Sequence, residues 1–187
     1  MTAEQMVLEA LRLSEEQPKP LEWDSLVACP QSFTPLFYHL TKLLKPQRIF
    51  EWGPGQSTNV FLRSDDTVKI DSYEQVQYWA DKYYGELVTK NPDWKDRINF
   101  IVNPDDTTYS KTEFPDETFD FVLVDGHDRA NCMKEAERIA KPGAVITCHD
   151  TQREGYIKSI SSLLSDRMKH VARHFPGQEA TDLWVKN

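Results

Sequence analysis

Ile49-Phe50-Glu51-Trp52-Gly53-Pro54-Gly55-Gln56-Ser57-Thr58 reads as strand, tight turn and helix start, because an apolar pair runs into an acid, two spaced glycines and a hydroxyl pair. Glycine lacks Cβ, so a ligand can approach the backbone there, and Ser57 is placed to cap the following helix through its Oγ. The same ten residues also suit an ordinary Gly-Pro turn between a strand and a helix. In the dinucleotide fingerprint G-x-G-x-x-G a third glycine is expected at position 58, where this chain has Thr58, and Pro54 stiffens the loop between the two that remain. That substitution speaks against a pyrophosphate-bearing cofactor.

Upstream, Ala3, Val7, Ala10 and Leu11 recur at helical spacing, and Pro18-Lys19-Pro20 ends that helix. A second helix is signalled by Thr34 as cap, Pro35 at the first helical position and a stripe of Leu36, Phe37, Leu40, Leu43 and Leu44, closed by Pro46. Downstream, residues 68–73 read as a strand, Val76, Trp79, Ala80, Tyr83 and Leu87 as one face of a helix, and residues 98–102 as a strand broken by Asn103-Pro104-Asp105-Asp106. Residues 119–124 form a nearly continuous apolar run, the pattern of a parallel strand covered on both faces at the centre of a sheet. Ala130, Met133, Ala136 and Ala140 then make a helical stripe stopped by Lys141-Pro142-Gly143, before a buried strand at 144–148. A helix around Ile157, Ile160 and Leu164, a strand at 171–175, a Pro176-Gly177 turn and a strand at 183–185 complete the chain. Strands alternating with helices predict an α/β, doubly wound, mostly parallel sheet, and the last two strands, joined by a short turn, predict an antiparallel C-terminal hairpin.

The 187 residues suit a single domain spanning 1–187. A formal charge of −8, with Lys and Arg interleaved among acids as in Lys134-Glu135-Ala136-Glu137-Arg138, disfavours nucleic acid or an anionic membrane as partner. No apolar run approaches the length of a membrane span, and Glu4, Glu9 and Arg12 interrupt the N-terminus, so a cytoplasmic location is expected. Cys29, Cys132 and Cys148 form no C-x-x-C, which leaves reduced, mostly buried thiols.

In an open parallel sheet ligands bind at the carboxyl edge of the strands. Glu74 lies there, 19 residues beyond Gly55, where an acid can accept both hydroxyl protons of a ribose; it also suits a helix start. Val124-Asp125-Gly126-His127-Asp128 and Thr147-Cys148-His149-Asp150-Thr151 put Asp and His at the ends of two buried strands expected to be neighbours, about 4.8 Å apart. Asp125 and Asp150 could share one hard divalent cation of the Mg²⁺ type, since close carboxylates repel unless neutralised. Equally, Asp125 could contact a cofactor or the backbone while Asp150 caps a helix beginning near Arg153. A histidine there is a natural general base, or a hydrogen-bonding partner of a loop.

E-x-G-x-G-x-S at the end of the first strand resembles motif I of the class I S-adenosylmethionine-dependent methyltransferases, whose Rossmann-like sheet also closes with such a hairpin. The resemblance runs from about Thr34 to the C-terminus. It implies S-adenosylmethionine as cofactor, with Glu51 organising its amino-acid end, Gly53, Gly55 and Ser57 forming its turn, Glu74 on its ribose, Asp106 (or the neighbouring Asp105, unless the pair is a turn) near its adenine, and Asp125 beside it. "VDGHD" followed by "KPGAVITCHDT" is similar to a branch that carries D-G-x-H and then H-D or D-D/D-N, some members of which methylate hydroxyls of small molecules with a divalent metal. That similarity implies a small-molecule acceptor activated by His127 with Asp125 and Asp150. His127 stands two residues after Asp125 instead of three, so His149 is the alternative base, and Thr151 stands where the third metal ligand is usually Asn or Asp. Residues 1–33 would supply an N-terminal helix and an acceptor lid, the lid being residues 18–35; Trp23, Phe33, Phe37, Tyr38, Tyr78 and Trp79 could wall the cleft. The rival expectations are an NAD-dependent oxidoreductase, disfavoured by Thr58 and the hairpin, and a non-catalytic ligand-binding or partner protein on the same fold.

Overall fold

Side chains alternate across a strand, and Arg48–Trp52 (β1) uses this to feed two cores at once: Ile49 joins one, Phe50 and Trp52 the other. In the computed structural model, which describes residues 1–17, 33–153, 155–177 and 179–187, β1 lies third in a seven-stranded sheet. Its neighbours in chain order are β2 (Lys69–Glu74), β3 (Ile98–Val102), β4 (Phe119–Val124), β5 (Ala140–His149), β6 (Met168–His174) and β7 (Thr181–Lys186). The spatial order is β3-β2-β1-β4-β5-β7-β6, so the apolar run of β4 is the middle strand. The first five strands in that order are parallel, and β7 runs antiparallel between β5 and β6. β7 is wedged between β5 and its hairpin partner β6, an order that the pattern of hydrophobicity does not carry.

Among the described residues six α-helices cover the sheet, α1 (Ala3–Glu16), α2 (Thr34–Leu44), α3 (Gln56–Ser64), α4 (Gln77–Lys90), α5 (Arg129–Ile139) and α6 (Tyr156–Leu163), with a 3₁₀ turn at Pro92–Asp96. Val7, Leu36, Phe37, Leu40, Phe61, Phe121 and Leu123 pack on one face. Phe50, Trp52, Phe119, Val122, Cys132, Met133, Ile146 and Ile160 pack on the other, with Phe50 and Trp52 edge to face at 4.4 Å. Full burial of each such side chain contributes about 1.5–3 kcal/mol relative to exposure, which makes the two cores the main stabilising term. Cys132 and Cys148 are buried thiols in the second core; Cys29 lies outside the described residues.

Several boundaries differ from the sequence pattern. Phe33, not Thr34, is the N-cap of α2, and Thr34 is already helical. Helix α5 stops at Ile139, so Ala140 opens β5 and Lys141-Pro142-Gly143 sits in an irregular stretch of that strand, with Gly143 at φ +81°. Both strands of the hairpin start earlier than expected, at Met168 and Thr181. Among the described residues no helix is long and apolar enough to cross a membrane.

Candidate active site

The turn between β1 and α3 is clamped from both sides. Gly53 N–H donates to the Tyr73 carbonyl of β2 at 2.9 Å, and Asp125 N–H donates to the Trp52 carbonyl at 3.0 Å. Gly53 has φ +83°, and a Cβ there would stand 2.8 Å from the Asp125 carbonyl oxygen, so glycine is required by conformation and by the closeness of the β4 loop. Gly55 differs: its φ of −177° is ordinary extended backbone, and a Cβ would meet nothing within 4 Å. Gly55, not Ser57, is the N-cap of α3. Ser57 Oγ instead donates to Glu51 at 2.9 Å, and Thr58, at the position of the missing third glycine, accepts the Gly55 N–H at 3.1 Å and donates to Glu51 at 2.5 Å.

Glu51 faces α3 because β1 alternates, and Ser72 of β2 donates to it as well, at 2.7 Å. The carboxyl group is fully buried beneath the turn and does not line the cleft, so any hold on a ligand's amino-acid end passes through the turn it braces. Burial pushes its pKa up to about 7, against the pull of Ser72, Thr58 and Ser57. The folded state therefore binds a proton more tightly than the unfolded chain, and stability falls as pH rises from about 4.5 to 7 by roughly 3 kcal/mol from this group, levelling off above. Glu51→Gln is expected to remove that slope in urea melts compared at pH 5 and pH 8; stability curves running parallel to wild type would contradict the assignment.

Gly53, Pro54, Gly55, Glu74, Trp79, Tyr83, Tyr109, Asp125, Gly126 and His127 are among the residues that line one open cleft of about 280 Å³ at the carboxyl edge of the sheet. Glu74 Oε1 accepts the Val76 N–H at 2.9 Å just ahead of α4, and the residue lines the cleft. Trp79 and Tyr83, one helical turn apart, stack at 5.6 Å as a flat wall. Tyr109, buried behind the cleft, carries its ring 6.2 Å from that of His127, and burial pushes its phenol pKa up. His127 is exposed at the rim, with Nε2 3.9 Å from Asp106 Oδ1. Asp106 accepts from Gln75 at the same rim, whereas Asp105 is a turn residue whose carboxylate takes the Thr107 N–H at 2.8 Å. Tyr78 is exposed, Phe33 and Phe37 belong to the core and Tyr38 packs against it; Trp23, with residues 18–32 of the expected lid, lies outside the described residues.

Asp125 and Asp150 do end adjacent parallel strands, with Val124 paired to Cys148. A side chain absent from the sequence expectations stands between them. Arg129, the first residue of α5, places one guanidinium nitrogen 2.8 Å from Asp125 Oδ1 and 3.3 Å from Asp150 Oδ2. Asp150 also takes Arg153, and Gln152 at 3.2 Å. The two carboxylates expected to share a metal ion thus both lie within ion-pair distance of one buried cation. Burial raises the Asp125 pKa, with His149 and Arg129 pulling it back. His149 is buried, its Nδ1 2.9 Å from Thr181 Oγ1 and its ring 4.5 Å from Phe33. The Thr151 hydroxyl, buried too, donates to Asp182. Among the described residues the group able to hold a metal ion is His149, Asp150 and Glu179, with ligand atoms within 4.8 Å of one another; it does not include Asp125. The spacing of Arg129, four residues after Asp125, was a usable signal for half of this cluster.

A family model described as "Methyltransferase domain" matches residues 50–151, the span from β1 to the end of β5. No curated protein matches the chain. Among solved structures, a methyltransferase of Podospora anserina bound to S-adenosylhomocysteine is 15% identical, with 97% of this chain and 88% of that one aligned at a TM-score of 0.67. An O-methyltransferase of Bacillus cereus in complex with S-adenosylhomocysteine is 18% identical over 97% and 91% of the two chains, TM-score 0.66. The O-methyltransferase TomG of Streptomyces achromogenes, in complex with S-adenosylmethionine, is 16% identical over 98% and 90%, TM-score 0.64. At such identities the likeness is one of fold.

Proposed function

Because the chain belongs to the methyltransferase-domain family, within the class I S-adenosylmethionine-dependent superfamily, we propose that it transfers a methyl group from S-adenosylmethionine to a hydroxyl of a small molecule. The observation that carries this is the single cleft on which the Gly53–Gly55 turn, Glu74 and the Asp125-Gly126-His127 loop converge. The O-methyltransferases of the same fold lend it support.

When bound, S-adenosylmethionine would supply an electrophilic methyl on sulfonium, with the thioether of S-adenosylhomocysteine as the leaving group. The protein's part is alignment and proton removal. The open side of Gly55 admits the ligand to the turn, Glu74 receives the ribose hydroxyls, the Trp79–Tyr83 wall bounds the apolar side, and Asp106 with Gln75 forms the outer rim. His127, at the other wall of the cleft, takes the hydroxyl proton. A shared Mg²⁺ does not fit Asp125 and Asp150, since Arg129 fills the place between them, and no step is assigned to one.

Glu74→Ala is expected to weaken S-adenosylhomocysteine binding by about 1.5–3 kcal/mol, the range for a hydrogen bond to a charged group, with the melting curve little changed. Calorimetry on both proteins measures this. An unaltered dissociation constant would reduce Glu74 to a brace of the β2–α4 connection.

A further inference from the structure

We propose that Arg129 is the resident cation of this edge: its guanidinium takes the place of a divalent metal between Asp125 and Asp150, which makes the chain's site metal-independent. That the edge serves methyl transfer rests on the function proposed above; the cation assignment itself does not.

Four observations converge on it. The same terminal nitrogen of Arg129 reaches both carboxylates, and the side chain is only 8% exposed. Mg²⁺ would need to lie about 2.0–2.1 Å from an oxygen of each acid, in the space this cation fills and against its charge. Second, Arg129 is the first residue of α5, where the helix macrodipole disfavours a cation and where burial opposes the charge. Asp125 and Asp150 outweigh both and hold the guanidinium protonated. A buried arginine in that position is kept by its partners, not by the helix. Third, the side chain following Asp150 is not available as a ligand: the Thr151 hydroxyl is buried and donates to Asp182, which also accepts from His170 at 2.7 Å and Arg173 at 2.9 Å. Fourth, the remaining metal-capable group, His149 with Asp150 and Glu179, draws on an Asp150 already paired with Arg129 and Arg153. A further dication on Asp150 would meet those two guanidinium charges.

The account is tested on the full chain by titrating Mn²⁺ and following the free ion by electron paramagnetic resonance. Wild type and Arg129→Lys, which both keep a cation in place, are expected to take up no stoichiometric Mn²⁺. Arg129→Ala removes the one charge shared by Asp125 and Asp150 and is expected to take up one equivalent, lost again when Asp150→Asn is added. One equivalent bound by wild type, whether removed by Asp150→Asn, His149→Ala or Glu179→Gln, overturns the proposal. So does a folded Arg129→Ala that binds none. Should Arg129→Ala fail to give a cooperative melt, Arg129→Gln, which preserves most of the volume, replaces it with the same two outcomes. S-adenosylhomocysteine titrated into the same wild-type sample separates the two claims: absence of binding there sinks the methyltransferase proposal and leaves the cation assignment standing on the Mn²⁺ result.

Discussion

His127→Ala is expected to lower the rate of the chemical step about 10²–10⁴-fold, the usual contribution of a positioned general base, while S-adenosylhomocysteine binds as tightly as before. The expectation follows from where the two histidines lie. His127 lines the cleft beside Gly126 and is 58% exposed on its side chain, so an acceptor entering from solvent meets it. His149 is buried under Phe33 and tied through Nδ1 to Thr181 across the β5–β7 pair. His149→Ala is therefore expected to lower thermal stability more than it lowers the rate. Single-turnover transfer to a panel of small hydroxyl compounds, with melting curves on the same samples, separates the two. An unchanged rate in His127→Ala, together with a folded but inactive His149→Ala, would move the base to His149.

The second large effect comes from the two glycines of the turn, which the structure divides into different tasks. Gly55→Val is expected to abolish measurable S-adenosylhomocysteine binding and to leave stability within about 1 kcal/mol of wild type, because its side chain enters open space on the cleft and its backbone is already extended. Gly53→Val should fail earlier. A branched residue at φ +83° whose Cβ lies 2.8 Å from the Asp125 carbonyl strains the backbone and forces β1 and β4 apart, at a cost of roughly 3 kcal/mol or more. Urea melts and calorimetry on both variants read this contrast. Wild-type affinity in Gly55→Val would mean that the ligand does not use this turn.

Most of the fold was legible because it depends on local periodicity. The apolar run of β4, the glycine turn after β1 and the short turn before β7 each announce themselves within about ten residues. The position of β7 between β5 and β6 was not, since it depends on which edge of a hairpin meets the parallel sheet. The same division runs through the site. Gly53, Glu74, Asp125 and His127 were placed at the carboxyl edge from strand ends alone, and they do line one cleft. Glu51 was legible as an acid of the motif but not as a buried brace, because Ser72 comes from a neighbouring strand and the missing glycine, Thr58, is read locally as a loss. Arg129 was hidden for a similar reason: its pairing with Asp125 is within one helical turn, but Asp150 belongs to another strand and only the sheet brings the two acids onto one guanidinium.

The most direct test of the account is a calorimetric titration of the wild-type chain with S-adenosylhomocysteine and, separately, with NAD. One-to-one, saturable binding of S-adenosylhomocysteine with no heat from NAD is the predicted result. Binding of NAD with no measurable affinity for S-adenosylhomocysteine would contradict it.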